Sequence, residues 1–294
     1  MTFRGTFTAL VTPFRDGAFD RGAFEALIER QIAGGVNGIV PVGTTGESPT
    51  LTHPEHAEVI RAAVQAANGR CLVLAGTGSN STAEAVELTR KAEELGADAA
   101  LLVAPYYNKP SQEGLFRHYS EIAGSSALPI VLYSIPGRCG IEIGVETVAR
   151  LAENCPTITC IKEAGGSVER VSQLRAALPP EFEIVSGDDS LTLPFMSVGA
   201  VGVISVASNI LPTEVSGMVR ACLDGRMAEA AATHGRLYGL FKDLFVEPNP
   251  VPAKYVLSLQ GLMSPEVRLP LCELSPENAG RLRARAGSLG LLEP

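Results

Sequence analysis

Five lysines occur in the 294 residues, and one of them stands apart. Lys91 and Lys242 have charged neighbours on helical patterns, Lys109 lies in a polar loop, and Lys254 follows a proline-rich stretch. Lys162 directly follows the apolar run Ile158-Thr-Cys-Ile161. An ammonium at the end of a buried strand is partly desolvated, which lowers its pKa. A lysine at pKa ~10.4 is only ~0.04% neutral at pH 7, and a drop of ~3 units raises that fraction several-hundredfold. The neutral amine is the form that attacks a carbonyl, so the pattern points to Schiff-base chemistry. The competing reading is an ion pair with Glu163, Asp188 or Asp189.

Other reactive groups fall at comparable places. Tyr133 closes the run Ile130–Tyr133, where a phenol can shuttle the protons that imine formation requires. Thr44 and Thr45 sit in a glycine-flanked turn, Gly43-Thr-Thr-Gly46, with hydroxyls and backbone N–H groups suited to a small carboxylate. Arg138 offers a planar fork for a second carboxylate. Taken singly, these are a core tyrosine, turn threonines and a surface arginine; their conjunction after successive strands carries the argument. Asp188-Asp189 could hold a hard cation such as magnesium, but a loop with a helix N-cap is the favoured reading. The four histidines (53, 56, 118 and 234) lie away from the strand ends, so no imidazole-bound metal is expected there.

Positioning these groups requires regular elements. Apolar, β-branched runs at Thr6–Val11, Gly38–Val42, Cys71–Ala75, Ala99–Val103, Ile130–Tyr133, Thr157–Ile161, Glu183–Val185 and Gly202–Ser205 read as strands. Amphipathic segments at 22–33, 54–67, 82–95, 111–124, 145–153, 168–177, 190–197 and 213–222 read as helices. Strands that are apolar almost throughout suggest a parallel sheet covered on both faces. Eight βα units predict a (β/α)8 barrel, whose active site gathers at the C-terminal strand ends; a doubly wound sheet is the alternative. Thr52-His-Pro-Glu55 is a capping box, and Ser81 is a second cap. After Gly225 the alternation stops. Helical patterns at 226–246, 252–260 and 276–289, broken by Glu247-Pro-Asn-Pro-Val-Pro252, predict a small all-helical region. The expected division is a barrel over 1–224 and a helical region over 225–294.

Composition excludes several classes. With 46% hydrophobic and 19% charged residues the chain is globular rather than disordered. A formal net charge of −8 leaves nothing to neutralise a run of phosphates, so nucleic acid is not an expected partner. Six scattered cysteines without a C-x-x-C pair read as reduced, mostly buried thiols of a cytoplasmic protein. The uncharged stretch Ser190–Thr213 contains Pro194, Pro212 and Asn209, and reads as helix, turn, strand and loop rather than a membrane span.

Six segments together resemble a known family. Ala9-Leu-Val-Thr-Pro13, Gly43-Thr-Thr-Gly-Glu47, Pro105-Tyr-Tyr-Asn108, Tyr133-Ser-Ile-Pro-Gly-Arg138, Ile161-Lys-Glu-Ala164 and Ser186-Gly-Asp-Asp189 are similar, in order, to the dihydrodipicolinate synthases. These belong to the pyruvate-dependent class I aldolases, with the N-acetylneuraminate lyases. The resemblance implies condensation of pyruvate with aspartate-4-semialdehyde to 4-hydroxy-tetrahydrodipicolinate, in the biosynthesis of lysine and diaminopimelate, without a cofactor or metal. It makes Lys162 the Schiff-base residue and Tyr133 the proton donor and acceptor. Thr45 and Tyr107 complete a relay, with Tyr107 supplied by a neighbouring subunit, and Thr44 beside them. Thr45, the backbone at Ile204, and Gly187 would contact substrate, and Arg138 would hold the semialdehyde carboxylate. A homotetramer made of two tight dimers is implied.

The resemblance also implies feedback inhibition by lysine at Ser48, His53, His56, Asn80, Glu84 and Tyr106. Glu84 can pair with an ammonium, and Asn80 and Tyr106 can bind a carboxylate. Departures from the family pattern are Ser134, Cys139, Gly165-Gly166 and Pro49, none of which removes a reacting group. Two rival functions remain open. One is a sugar-acid aldolase or dehydratase on the same scaffold, which usually lacks the arginine of the Tyr-x-x-Pro-Gly-Arg motif; the other is a catalytically silent amino-acid sensor.

Overall fold

The computed structural model describes residues 1–292. Its strands are β1 (Gly5–Ala9), β2 (Phe14–Arg15), β3 (Ala18–Phe19), β4 (Gly38–Val40), β5 (Leu72–Gly76), β6 (Ala99–Val103), β7 (Ile130–Ser134), β8 (Ile158–Glu163), β9 (Glu183–Ser186) and β10 (Gly202–Ser205). All but β2 and β3 are parallel and close a barrel in the order β1-β10-β9-β8-β7-β6-β5-β4. The barrel and its outer helices make this a (β/α)8 fold, and closure disposes of the doubly wound alternative. At the seam, a Cβ on Gly202 would stand 2.1 Å from the Gly5 carbonyl oxygen, so β1 and β10 can pair only with glycine there.

Alternation along the strands separates two cores. Phe7, Leu101, Val131, Cys160, Val185 and Ile204 pack together inside the barrel with Tyr133. The intervening residues, such as Ile130, Leu132, Ile161 and Ile184, face the surrounding helices. Those helices are α1 (Arg21–Ala33), α2 (His53–Ala67), α3 (Thr82–Glu94), α4 (Gln112–Ala123), α5 (Pro136–Cys139), α6 (Val145–Asn154), α7 (Val168–Ala177), α8 (Thr192–Ser197) and α9 (Pro212–Leu223). The capping box forms: Glu55 N donates to Thr52 Oγ1 (3.3 Å) and Thr52 N to Glu55 Oε2 (2.9 Å). Ser81 caps α3 as expected.

Three elements differ from the expectation. The β2–β3 hairpin turns through Asp16 and Gly17, both at positive φ, and is too short to show alternation. The one-turn helix α5 follows β7 and begins at Pro136. Strand β8 runs two residues past Ile161, because the ladder continues through Lys162↔Val185 and Glu163↔Ser186 even where the side chains are charged. The stretch Ser190–Thr213 is a short helix, a barrel strand and turns, and no helix among the described residues is long and apolar enough to cross a membrane.

Beyond residue 224 come α10 (Met227–Asp243), α11 (Val251–Leu259) and α12 (Pro276–Ser288). Asp243, buried on α10, binds Arg281 Nε and Arg285 Nε of α12, both at 2.8 Å. Helix α11 reaches the barrel mouth, where its buried Lys254 meets Glu47 of the β4 loop at 2.6 Å.

Candidate active site

Lys162 and Tyr133 are ladder partners on β8 and β7. Parallel partners project side by side, so the amine and the phenol end up together inside the C-terminal end of the barrel. Lys162 Nζ stands 4.0 Å from the centre of the Tyr133 ring. The lysine is 6% exposed, and burial brings its pKa down to about 7; Asp189 pulls it back up and the Arg138 charge pushes it further down. At neutral pH about half the amine is therefore unprotonated.

The three carboxylates that could have paired with this lysine are all engaged elsewhere. Glu163 points outward from β8 and accepts from Arg170 Nε at 2.8 Å and Gly165 N at 2.6 Å. Asp188 caps the turn Asp189–Leu191, accepting from Ser190 N at 2.8 Å. Asp189 accepts from Ser205 Oγ and, at 3.0 Å each, from Val206 N and Ala207 N. Lys162 forms no ion pair among the described residues, so the ion-pair reading of its position does not hold.

Gly187, expected at the substrate, has a clear steric role. A Cβ there would lie 2.9 Å from Lys162 Cε and 2.8 Å from Ala164 Cβ, so only glycine leaves room for the lysine. Arg138 lies on α5 and is exposed; its side chain makes no hydrogen bond or ion pair among the described residues, leaving the guanidinium free for an anion. Burial raises the Tyr133 pKa above its ordinary value, while Arg138 and the Thr44 side chain draw it back. Thr44 and Thr45 both line the same cavity as Tyr133. The Thr45 hydroxyl accepts from Asn249 Nδ2 at 2.9 Å.

These groups line a cavity of about 450 Å³ containing Thr44, Thr45, Tyr133, Arg138 and Lys162. The same cavity extends to Ser48, His53, His56, Glu84 and Tyr106, so the two sets of residues expected at separate sites share one continuous space. Asn80 stands beside it, donating from Nδ2 to the Tyr106 carbonyl at 3.2 Å. Glu84 is held by His53 Nε2 at 3.0 Å and by the Ser79 hydroxyl, and both keep its carboxyl below the usual range. His56 is no solvated helix-start residue: it is buried against the Gly76 carbonyl, 3.0 Å from Nε2, and burial lowers its pKa.

Three further expected residues, Gly187, Ile204 and Tyr107, are not among those that line this space. Ile204 is buried in the barrel interior and does not line the cavity. Tyr107 is 89% exposed and in a left-handed conformation at φ 71°. Sequence reasoning missed Asn249 and the buried Glu47–Lys254 pair. The segment Glu247–Pro252 shows in sequence only as a helix breaker, though Lys254 as the one charge in Val251–Leu259 was a usable signal.

Comparisons with known proteins agree with this geometry along the whole chain. Residues 2–287 match the model of the dihydrodipicolinate synthetase family. The 4-hydroxy-tetrahydrodipicolinate synthase of Endomicrobium trichonymphae is 51% identical over 291 residues, covering 99% of this chain and all of that protein. The structure of the 4-hydroxy-tetrahydrodipicolinate synthase from the thermoacidophilic methanotroph Methylacidiphilum fumariolicum SolV superposes with a TM-score of 0.96 at 55% identity, covering 99% and 100% of the two chains. A dihydrodipicolinate synthase from Cyanidioschyzon merolae, solved with lysine bound, gives 0.96 at 45% identity and covers 99% of each chain. Agreement of this extent in both sequence and backbone makes the chain a member of the dihydrodipicolinate synthetase family.

Proposed function

We propose that the protein is a 4-hydroxy-tetrahydrodipicolinate synthase, condensing pyruvate with aspartate-4-semialdehyde. The observation that carries this reading is the buried Lys162 amine, unpaired among the described residues and 4.0 Å from the centre of the Tyr133 ring, with burial bringing its pKa down to about 7. The amine attacks the keto carbon of pyruvate, and the tetrahedral adduct loses water as Tyr133 delivers a proton to the leaving hydroxyl. Loss of a methyl proton gives the enamine, whose carbon adds to the aldehyde. The semialdehyde's own amine then displaces Lys162 from the imine carbon, closing the ring and returning the free lysine.

The surrounding residues fit these steps. Arg138, free of internal partners, receives the semialdehyde carboxylate; a sugar-acid substrate offers no carboxylate at that end. Thr44 and Thr45 line the cavity beside Tyr133 and complete the proton relay with it. Tyr107, too exposed to serve its own chain, is presented to the cavity of a second copy, in keeping with a homotetramer built from tight dimers. Lysine is the proposed feedback inhibitor, its ammonium on Glu84 at the outer end of the shared cavity; titration of the initial rate with L-lysine tests this.

Borohydride reduction with pyruvate, followed by intact mass and peptide mapping, tests the whole reading. The expected result is one reduced pyruvyl adduct, on Lys162, and product only when aspartate semialdehyde is the acceptor. Adduct on another residue, no adduct at all, or turnover of a 2-keto-3-deoxy sugar acid alone would overturn it.

A further inference from the structure

Thr45 and Asn249 meet across 204 residues of sequence, and both are buried. A threonine hydroxyl has one hydrogen to give. Thr45 Oγ1 accepts from Asn249 Nδ2 with one of its two lone pairs, so its hydrogen cannot be aimed at that N–H and is left to donate elsewhere. Among the described residues the buried Asn249 Oδ1 atom has no partner, so the amide makes one side-chain hydrogen bond there and leaves its acceptor idle. An unsatisfied buried oxygen is a cost to stability. The one side-chain bond this amide makes among the described residues is with Thr45, which lines the cavity of Lys162 and Tyr133.

The surroundings of that bond are rigid. Five residues along from Asn249, Lys254 Nζ binds Glu47 Oε1 at 2.6 Å, and Arg268 N donates to Glu47 Oε2 at 3.0 Å. The turn Gly43–Glu47 is thus gripped from the C-terminal region at both its middle and its end. A freely rotating threonine hydroxyl readily turns its hydrogen toward nearby backbone oxygens; here the acceptor side of the oxygen is fixed.

We propose that Asn249 is a positioning residue, which fixes the Thr45 hydroxyl as a hydrogen-bond donor to the carboxylate of the keto acid bound at Lys162. This rests on the reading of Lys162 as the pyruvate-binding amine. A carboxylate can only accept, so the polarity imposed by the Asn249 N–H is the one the ligand needs.

Substitution at one atom tests it. Asn249→Asp preserves shape but replaces the donor with an acceptor, which captures the Thr45 hydrogen and reverses its polarity. Asn249→Ala merely removes the donor. Both variants are expected to raise the pyruvate KM, by about 10-fold or more for loss of a hydrogen bond to a charged group, with a smaller fall in kcat. Asn249→Asp is expected to be worse than Asn249→Ala, although it disturbs packing less. In a Thr45→Val background, Asn249→Ala should add no further rise. A pyruvate KM unchanged in both variants, an Asp variant milder than the Ala variant, or additivity with Thr45→Val would overturn the proposal. Should Asn249→Ala fail to fold, as judged by circular dichroism, the Asp variant and its combination with Thr45→Val carry the comparison. Wild-type protein that traps no pyruvate on Lys162 sinks the functional reading itself. Wild-type trapping, together with variants whose trapping has the same pyruvate dependence, sinks the positioning role alone.

Discussion

Lys162 and Lys254 are both withdrawn from water, at 6% and 0% exposure, and burial lowers the pKa of each. Their chemistry diverges because Lys254 has Glu47 at 2.6 Å, which draws its pKa back up, whereas the carboxylates around Lys162 are occupied. Lys254 is held in a buried ion pair, and Lys162 has none among the described residues. Two pH dependences follow for Lys162. The rate of pyruvate adduct formation should climb as pH rises through about 7 and then level off, which borohydride trapping across pH 5–9 measures. In the unfolded chain this lysine keeps its ordinary pKa near 10.5, so between about 7 and 10.5 the unfolded state binds the extra proton. Its burden on stability is therefore full below pH 7, shrinks as pH rises, and is gone above 10.5. Lys162→Met should accordingly raise the melting temperature at pH 7, by a few kcal/mol of stability, and the gain should fade toward pH 10. The position of Lys162 was legible because a charge interrupts an apolar run. Its freedom from an ion pair was not, since that depends on where Glu163, Asp188 and Asp189 turn.

At the level of single elements, the barrel strands were legible because each is a compact apolar run, and the helix caps because Thr52 and Ser81 have short-range partners. The hairpin at Phe14–Phe19 escaped for want of length, and the end of β8 because side-chain polarity masked a backbone ladder. The pairing Tyr133↔Lys162 is a product of register, which no single strand contains. Strand β9 ends in a constraint of the same kind: Gly187 must pass within contact of the Lys162 stem. Gly187→Ala should fold into the same barrel, yet push the lysine side chain off its rotamer. Activity should fall by about 10-fold or more, as expected when a reacting atom is displaced by an ångström. Gly187→Ala with full activity and unaltered trapping would show that the lysine can yield without loss.

Across the whole molecule, residues from both ends of the chain meet at the β4 loop. Glu47 receives Lys254 and the Arg268 backbone, and the Phe14 ring lies 4.3 Å from Lys254 Nζ and 4.2 Å from the Arg268 guanidinium carbon. Gly17 N donates to Glu266 Oε1 at 2.7 Å, and Arg268 donates to the Gly17 carbonyl at 2.8 Å. The C-terminal helices were legible as helices, but their role was not, because these contacts join residues some 200 positions apart. Removing one member of the buried pair leaves an uncompensated charge, so Lys254→Met should cost about 3–5 kcal/mol by denaturant unfolding, while Lys254→Met with Glu47→Leu should recover much of the loss. Equal destabilisation by the single and double changes would contradict this account of the pair.

The Glu47–Lys254 contact also orders events during synthesis. The carboxylate leaves the ribosome 207 residues before its amine, a wait of roughly 10–40 s at translation rates of roughly 5–20 residues per second. Through that interval Glu47 lacks the Lys254 ammonium, and Thr45 lacks the Asn249 amide. The nascent barrel can assemble its strands in sequence, but it cannot finish its mouth.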